Sequence, residues 1–231
     1  MEVFKQTQTR EEYFDIQVNR SREKFQYCKV SARDVMKYRE IIHKNLDLDG
    51  KGMPLGPILC LGTRNGREVD LFRCLFFCNP LIRSLVKTFE TRTHSYISRF
   101  PAIEAVNRSN IDRLHEQSVI GIELNPDAKR KDIGILSFDQ MPENWEGRFS
   151  VLYSNAFDQS QDPQRTAGEW KRVTRKGGIM ILCYTVEVAP SYHDPVGMLS
   201  RSDFMDLFPG ELLYYKKRGS QNGYSEIIIS R

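Results

Sequence analysis

The chain has 231 residues, of which 40% are hydrophobic and 28% are charged. This length and composition suit one sizeable globular domain with an appended segment, and they exclude two full domains or a wholly disordered chain. The 34 basic and 30 acidic residues leave a formal net charge of only +4. A nucleic-acid partner is therefore permitted by the charge but not indicated by it.

Hydropathy and cysteine content indicate a cytoplasmic protein with no membrane partner. No run approaches the roughly 18 apolar residues of a transmembrane helix, and the chain begins with a polar, charged stretch rather than a signal peptide. The five cysteines are an odd number, which favours free thiols in a reducing compartment. Cys74 and Cys78 share a helical spacing, but no further Cys/His cluster accompanies them, so the sequence predicts no metal site.

The first quarter of the chain differs in pattern from the rest. Residues 11–46 place apolar side chains at near-helical spacing among charges, which predicts mostly helix. Residues 47–57 are rich in glycine and proline and mark a loop or linker. We therefore predict an N-terminal helical extension and linker over residues 1–56, followed by a second unit over residues 57–231.

From residue 57 onward the pattern alternates between strand and helix. The run Ile58–Leu61 is typical of a parallel strand buried on both faces. Such alternation predicts an α/β fold with a largely parallel sheet and right-handed crossovers. Strands are predicted at 58–61, 119–123, 133–138, 149–153, 179–184, 211–216 and 224–230, helices at 67–77 and 165–174, and a tight turn at 176–178.

A glycine turn and a later acid carry the chemical information. Gly62 and Gly66 lie between the first strand and its helix, where glycine lets the backbone approach a ligand and the helix N-terminus offers free amide donors. Glu123 ends the next predicted strand, where a carboxylate can accept both hydroxyls of a ribose. The sequence therefore predicts a nucleotide-like ligand at this edge of the sheet.

Five segments occur in the order found in one enzyme family. They are ILCLGTRNG at 58–66, GIELNP at 121–126, SFDQMP at 137–142, FSVLYSNA at 149–156, and EWKRV with KGGI between 169 and 179. Together, over about residues 57–183, they resemble the class I S-adenosylmethionine-dependent methyltransferases. The resemblance implies a Rossmann-like methyltransferase fold: a mostly parallel seven-stranded sheet with an antiparallel C-terminal strand and helices on both faces.

The resemblance also implies S-adenosylmethionine as cofactor and assigns its contacts. Glu123 would hold the ribose, residues 137–139 would lie beside the adenine, and residues 154–156 would face the donor methyl group. The implied cofactor-binding residues are Gly62, Thr63, Arg64, Asn65, Gly66, Glu123, Leu124, Ser137, Phe138, Asp139, Ser154, Asn155 and Ala156.

The chain departs from the family pattern at two positions of the glycine turn and in its spacing. Members often carry an acid where Cys60 stands and a glycine where Arg64 stands. Arg64 could crowd the methionine end of the cofactor, or its guanidinium could pair with the cofactor carboxylate. Glu123 follows Gly66 by 57 positions, against about 20 in a compact unit, which predicts an insertion near residues 79–115. That insertion is either a lid or acceptor-binding subdomain, or an extra helical pair packed on the N-terminal helices.

Candidate catalytic residues follow the strands whose carboxyl ends face the ligand. Asp158 follows the fourth strand and His193 follows the fifth. Either side chain could act as a general base on the methyl acceptor.

The sequence indicates the class of acceptor only by elimination. The fourth strand ends in Tyr153-Ser154-Asn155-Ala156 and lacks the Pro-Pro-aromatic motif of amino methyltransferases that act on nucleic acids, so a small molecule or saccharide is favoured. Three alternatives stay open: a catalytically inactive methyltransferase-like scaffold that binds a partner, a methyltransferase acting on RNA, and a nicotinamide-dependent oxidoreductase. The oligomeric state is not predicted.

Overall fold

The computed structural model describes residues 1–5, 9–25, 27–46, 56–77, 81, 119–217 and 224–231. Apart from residue 81, the predicted insertion at 79–115 lies outside the described residues, as do Cys78 and nearly all of the predicted linker. The role assigned to the insertion and the proposed domain boundary therefore stay predictions.

The described chain alternates helices and strands in the predicted order. Among the described residues, no helix is both long enough and apolar enough to cross a membrane. In chain order the elements are β1 (Glu2–Val3), α1 (Arg10–Glu23), α2 (Ala32–Asn45), β2 (Ile58–Leu61), α3 (Arg67–Phe77), β3 (Val119–Glu123), β4 (Ile133–Ile135), β5 (Phe149–Ser154), α4 (Pro163–Val173), β6 (Thr174–Thr185), β7 (Val196–Gly197), α5 (Arg201–Leu207), β8 (Glu211–Lys216) and β9 (Tyr224–Ser230).

The two N-terminal helices begin at reciprocal caps. The Thr9 side chain accepts a hydrogen bond from the Glu12 backbone N–H, and the Glu12 carboxylate accepts one from the Thr9 backbone N–H. The same arrangement starts α2 at Ser31. Each cap satisfies helix N–H groups that have no partner within the helix, so the sequence itself sets where both helices begin.

Seven strands form one sheet in the order β4-β3-β2-β5-β6-β9-β8. The five strands from β4 to β6 are parallel, and β9 runs antiparallel to both of its neighbours. The predicted seven-stranded Rossmann-like sheet with an antiparallel C-terminal strand is therefore confirmed. A separate two-stranded sheet, β1 with β7, was not predicted from the sequence.

The sheet separates two apolar cores. Successive side chains of a strand point to opposite faces, so Cys60 and Tyr153 pack with α2 and α3, whereas Leu59 and Leu152 pack with α4 and α5. The predicted helices on both faces are confirmed. Trp170 of α4 is the largest fully buried side chain of the second core.

Three predicted boundaries are wrong. The strand predicted at 133–138 ends at Ile135: the Leu136 N–H makes the last ladder bond, to the carbonyl oxygen of Glu123 (3.0 Å), and the partner strand β3 ends at Glu123. The helix predicted at 165–174 begins two residues earlier, where Asp162 caps it. The turn predicted at 176–178 lies inside β6, as an irregularity in its pairing with β5 around Gly177 (φ +70°).

Trp170 joins the second core to the loop that follows β4. Its indole Nε1–H donates to the carbonyl oxygen of Phe138 (2.9 Å), and its ring packs edge-on against Phe138 and Phe157. Trp170→Phe removes this hydrogen bond and leaves a void, so we expect the free energy of unfolding in urea to fall by about 1–3 kcal/mol. Trp145→Phe is the matched control, because that indole is only half-buried. Equal losses in the two variants would contradict this role for Trp170.

Candidate functional site

The turn between β2 and α3 packs against the loop after β5 and against β4. Gly62 (φ +68°) and Gly66 (φ +80°) adopt left-handed backbone conformations that favour glycine. A Cβ on Gly62 would lie 2.9 Å from the Cβ of Ala156, and one on Gly66 would lie 2.5 Å from Cδ1 of Ile133. Packing therefore requires both glycines, whatever ligand the turn binds.

The Glu123 carboxylate ties this turn to the end of β3. Its Oε2 accepts the Arg64 backbone N–H (2.7 Å), and its Oε1 accepts the N–H groups of Leu124 (3.1 Å) and Asn125 (3.2 Å). A carboxylate has about four lone-pair sites, so one site, on Oε2, stays open. Glu123 is only 7% exposed, and that open site lies at the edge of a cleft.

Two adjoining clefts run along the carboxyl ends of β2, β3 and β4, beneath α1. Counted with the open solvent at their mouths they measure about 430 Å³ and 290 Å³, but the space inside each that a water molecule can occupy is only about 20 Å³. Seven predicted residues line one or both of them: Gly62, Arg64, Glu123, Leu124, Ser137, Phe138 and Asp139. Residues not predicted from the sequence complete the lining: Tyr13, Phe14, Gln17, Arg20, Ser21, Ile122, Leu136, Gln159 and Gln161.

Helix α1 forms the roof of the clefts through a stripe of polar side chains. The Arg20 guanidinium binds both carboxylate oxygens of Asp194 and donates to the carbonyl oxygen of His193 (2.9 Å). These contacts join the roof to the loop that follows β6. Gln17 Nε2 reaches the same loop by donating to the His193 carbonyl oxygen (2.7 Å), and it also donates to Tyr13 Oη (2.6 Å). Tyr13 Oη in turn donates to the Gln159 carbonyl oxygen (2.8 Å), in the loop that follows β5.

The sequence contains a signal for this roof that the prediction missed. Tyr13, Gln17 and Arg20 recur at i, i+4 and i+7 and so share one face of α1. Polar residues at that spacing are usually a solvated face, yet Tyr13 and Gln17 are buried. A polar stripe that includes a tyrosine is consistent with a helix that covers a polar cleft.

The far end of the smaller cleft is fixed by an ion pair. The Ser137 hydroxyl donates to the Asp139 carboxylate, which also binds Arg10 of α1 (3.0 Å). The Phe138 carbonyl oxygen accepts from Trp170. These contacts hold residues 137–139, the predicted adenine side, in one conformation beneath the start of α1.

The other predicted cofactor residues hold the loops in place rather than line the described clefts. Asn65 Oδ1 accepts the Arg67 N–H (3.1 Å) at the start of α3, and Ser154 Oγ accepts the Ala156 N–H (3.1 Å). Thr63, Asn65, Gly66, Ser154, Asn155 and Ala156 are not among the residues that line the two clefts.

Asp158 is a buried carboxyl beside the roof. It lies in a short helical turn after β5 and is 9% exposed, and its Oδ1 has no hydrogen-bond partner among the described residues. Burial and the nearby Asp194 carboxylate together raise the pKa of Asp158 from 3.8 to about 7, although Arg20 and Arg64 act to lower it. Such a group exchanges a proton near neutral pH.

His193 contributes to the site mainly through its backbone. Its carbonyl oxygen accepts from Gln17 and Arg20. Its imidazole lies against the Tyr192 ring, with 3.7 Å between ring centroids. Partial burial and the positive charge of Arg20 lower the pKa of the imidazole. His193 Nδ1, like Asp158 Oδ1, has no hydrogen-bond partner among the described residues.

The cysteines of the described residues lie away from the clefts. Cys28, Cys60, Cys74 and Cys183 form no disulfide in the part of the chain that the structure describes, and Cys60 is fully buried in the core beneath α2 and α3. In the part of the chain that the structure describes, no group of three or more His, Cys, Asp or Glu residues is placed to hold a metal ion. The departure at Cys60 therefore belongs to the core and leaves the cleft unchanged.

Glu68, in the first turn of α3, is a second buried carboxyl with a raised pKa. Burial raises that pKa from 4.5 to about 7, although the Glu68 backbone N–H and the Arg64 guanidinium lower it. The folded state holds this proton more tightly than the unfolded chain does. The contribution of Glu68 to the free energy of unfolding is therefore greatest below pH 4.5, and it is lost as the pH rises through 7.

We expect Glu68→Gln to reduce the loss of stability between pH 5 and pH 8 by about 2 kcal/mol, measured by urea unfolding at each pH. Asp158 adds a loss of the same sign, so the slope is reduced rather than abolished. Glu40→Gln, on the exposed side of α2, is the control and should leave the slope unchanged. An unaltered slope in Glu68→Gln would contradict the raised pKa.

The chain is similar to known proteins in its structure but not in its sequence. No family model matches the chain, and no curated protein matches its sequence. The 1,6-didemethyltoxoflavin-N1-methyltransferase of Burkholderia thailandensis, solved with 1,6-didemethyltoxoflavin and S-adenosylhomocysteine, aligns with a TM-score of 0.59 and 10% identity, over 100% of this chain and 93% of that chain.

Two further solved structures align less closely. A geranyl diphosphate methyltransferase in complex with GPP and sinefungin gives a TM-score of 0.50 at 12% identity, over 84% of this chain and 78% of that one. The CMeT domain of the citrinin polyketide synthase gives 0.50 at 12% identity, over 86% of this chain and 52% of that one. At such low identity the likeness shows architecture alone: the chain has the Rossmann-like fold of the class I methyltransferases.

Proposed function

We propose that the chain is an S-adenosylmethionine-dependent methyltransferase with a small-molecule acceptor. The observation that carries this proposal is the pair of adjoining clefts, which reach from Gly62 and Glu123 to Ser137 and Asp139 along the carboxyl edge of the sheet. Ligands of open α/β sheets bind at this edge.

The residues of the clefts fit such a cofactor. The open lone-pair site on Glu123 can accept one ribose hydroxyl, and Gly62 lies in the wall of the same cleft. Ser21 Oγ, on the roof of the same cleft, has no hydrogen-bond partner among the described residues. When bound, the cofactor supplies a methyl group already activated on a sulfonium, so the protein needs chiefly to orient the acceptor.

The roof favours a small acceptor over RNA. Tyr13, Gln17 and Arg20 of α1 join the loops after β5 and β6, which narrows access to the carboxyl ends of these strands. A folded RNA needs an open basic surface instead. Two of the similar structures are named for small-molecule acceptors, didemethyltoxoflavin and geranyl diphosphate, which supports the same choice.

The geometry argues against an inactive scaffold. Cys60 packs in the core, away from the clefts, and the Arg64 guanidinium lies over the Tyr27 ring at the wall of the larger cleft. Neither departure from the family pattern disturbs the Glu123 carboxylate, which still accepts the Arg64 N–H. We therefore favour a catalytic protein over a scaffold that has lost its ligand.

The ribose contact gives the first test. Because Glu123 also accepts three buried N–H groups, Glu123→Ala would disturb the turn as well as the ligand contact. Glu123→Gln keeps one acceptor oxygen and the side-chain volume. By calorimetric titration we expect wild-type protein to bind S-adenosylhomocysteine in the micromolar range and Glu123→Gln to bind it about 10- to 100-fold more weakly.

The control for this titration is Glu211→Gln, at the exposed start of β8, which should bind as wild type does. NADH should not bind. Folded wild-type protein that binds neither S-adenosylmethionine nor S-adenosylhomocysteine would refute the proposal and make the inactive scaffold the better interpretation, whereas tight binding of NADH alone would favour an oxidoreductase.

We propose that Asp158 is the general base for the acceptor. It follows β5 and is buried near the cleft, and its pKa of about 7 suits proton abstraction at neutral pH. Its unpartnered Oδ1 leaves an acceptor site for the departing proton. His193 is the alternative base, since its Nδ1 also has no hydrogen-bond partner among the described residues.

Asp158 must lose its proton to act, so the rate of methyl transfer should rise with pH through about 7. The measurement uses an acceptor found by screening with labelled methyl donor. Asp158→Asn should lower the rate by about 10²- to 10⁴-fold with little change in the affinity for S-adenosylhomocysteine. Asp206→Asn, exposed on α5, is the control. A flat pH profile, or full activity in Asp158→Asn, would exclude this role.

A further inference from the structure

Arg64 occupies a backbone conformation that favours glycine. Its φ is +47°, in the left-handed region that costs a residue with a side chain of order 1 kcal/mol. Its N–H donates to Glu123 Oε2 (2.7 Å), which fixes the residue beside the ribose acid. Strain of this kind persists where the surrounding structure holds the residue in place, so its side chain is a candidate for a specific contact.

The Arg64 guanidinium packs against an aromatic ring, but one of its nitrogen atoms lacks a hydrogen-bond acceptor among the described residues. It lies over the Tyr27 ring, 4.9 Å from the ring centroid, and it lines the larger cleft. Its Nη1 is buried and has no hydrogen-bond acceptor among the described residues. A buried guanidinium donor without an acceptor is unfavourable, so a ligand that brings an anionic oxygen to this point would be stabilised.

The neighbouring cation in the same cleft is already committed. Arg20 binds the Asp194 carboxylate with two nitrogen atoms and also donates to the His193 carbonyl oxygen. Of the two arginines that line the larger cleft, Arg64 is therefore the one with donor capacity left.

The strand order shows which part of a ligand would meet Arg64. Ser137 and Asp139 follow β4, Glu123 ends β3, Arg64 follows β2, and Asp158 follows β5, so these residues are met in that sequence across the sheet. A nucleoside held by Glu123 with its base towards Ser137 would have its 5′ substituent on the side of β2 and β5. Arg64 directly follows β2 and lines the larger cleft, so it lies on that side of Glu123.

We infer that Arg64, supported by the Tyr27 ring, binds the carboxylate of the cofactor's amino-acid tail. This rests on the proposed function. Arg64 is then a positioning residue that replaces the glycine of the family pattern with a charged anchor, and the chain selects cofactors that retain the carboxylate. A planar guanidinium can bind both oxygens of a carboxylate, which a lysine cannot do.

The test compares two ligands that differ only in this group: S-adenosylhomocysteine and its decarboxylated form, S-adenosyl-3-thiopropylamine. By calorimetric titration, wild-type protein should bind the first about 10- to 100-fold more tightly. Arg64→Gly should abolish this preference by weakening S-adenosylhomocysteine alone, and Arg64→Lys should retain part of it. Because glycine suits φ +47°, Arg64→Gly should unfold at a temperature no lower than that of wild type.

Arg22→Ala, which removes an exposed guanidinium from α1, is the control and should keep the full preference. An unchanged preference in Arg64→Gly, or an equal weakening of both ligands, overturns the inference while the proposed function stands. Failure of wild-type protein to bind either ligand overturns both.

Discussion

The site depends on one buried carboxylate that the backbone itself binds. Glu123 accepts N–H groups from the turn after β2 and from the two residues that follow β3, so it fixes the spacing of adjacent strand ends. A buried carboxylate is stable only when such charge-assisted hydrogen bonds replace its water. The turn, the edge of the cleft and the orientation of Arg64 all follow from this arrangement, because the Arg64 N–H is one of the three donors.

The cleft exists because α1 covers an edge of the sheet with polar rather than apolar side chains. Tyr13, Gln17 and Arg20 contact the loops after β5 and β6. An apolar helix face would pack tightly and leave no cavity, whereas side chains that reach across to carbonyl oxygens and a carboxylate keep the helix attached above a space. The helix that was predicted as part of an N-terminal extension thus forms one wall of the candidate site.

Burial in two different parts of the fold accounts for the carboxyl groups with a pKa near neutral. Asp158 and Glu68 are both removed from solvent, and burial raises the pKa of each to about 7. Arg64 opposes this shift for both groups. A buried charged group whose hydration is not fully replaced lowers the stability of the fold. Such groups are commonly retained where they bind a proton or transfer one.

The two departures from the family pattern differ in their location, since Cys60 lies in the core and Arg64 lies in the cleft.

The sequence by itself determined the order of the elements, most strand boundaries, the glycine turn and the acid at the end of β3, because these depend on short-range patterns of burial, capping and turn chemistry. It predicted seven residues that line the clefts. Only the tertiary structure decided that Asn65, Ser154 and Ala156 support loops, that Gly177 lies within a strand, and that α1 forms a roof. The physical reason is that these roles depend on contacts between distant parts of the chain. The Arg20–Asp194 ion pair spans 174 positions, and no local pattern encodes which surface a polar helix face will meet.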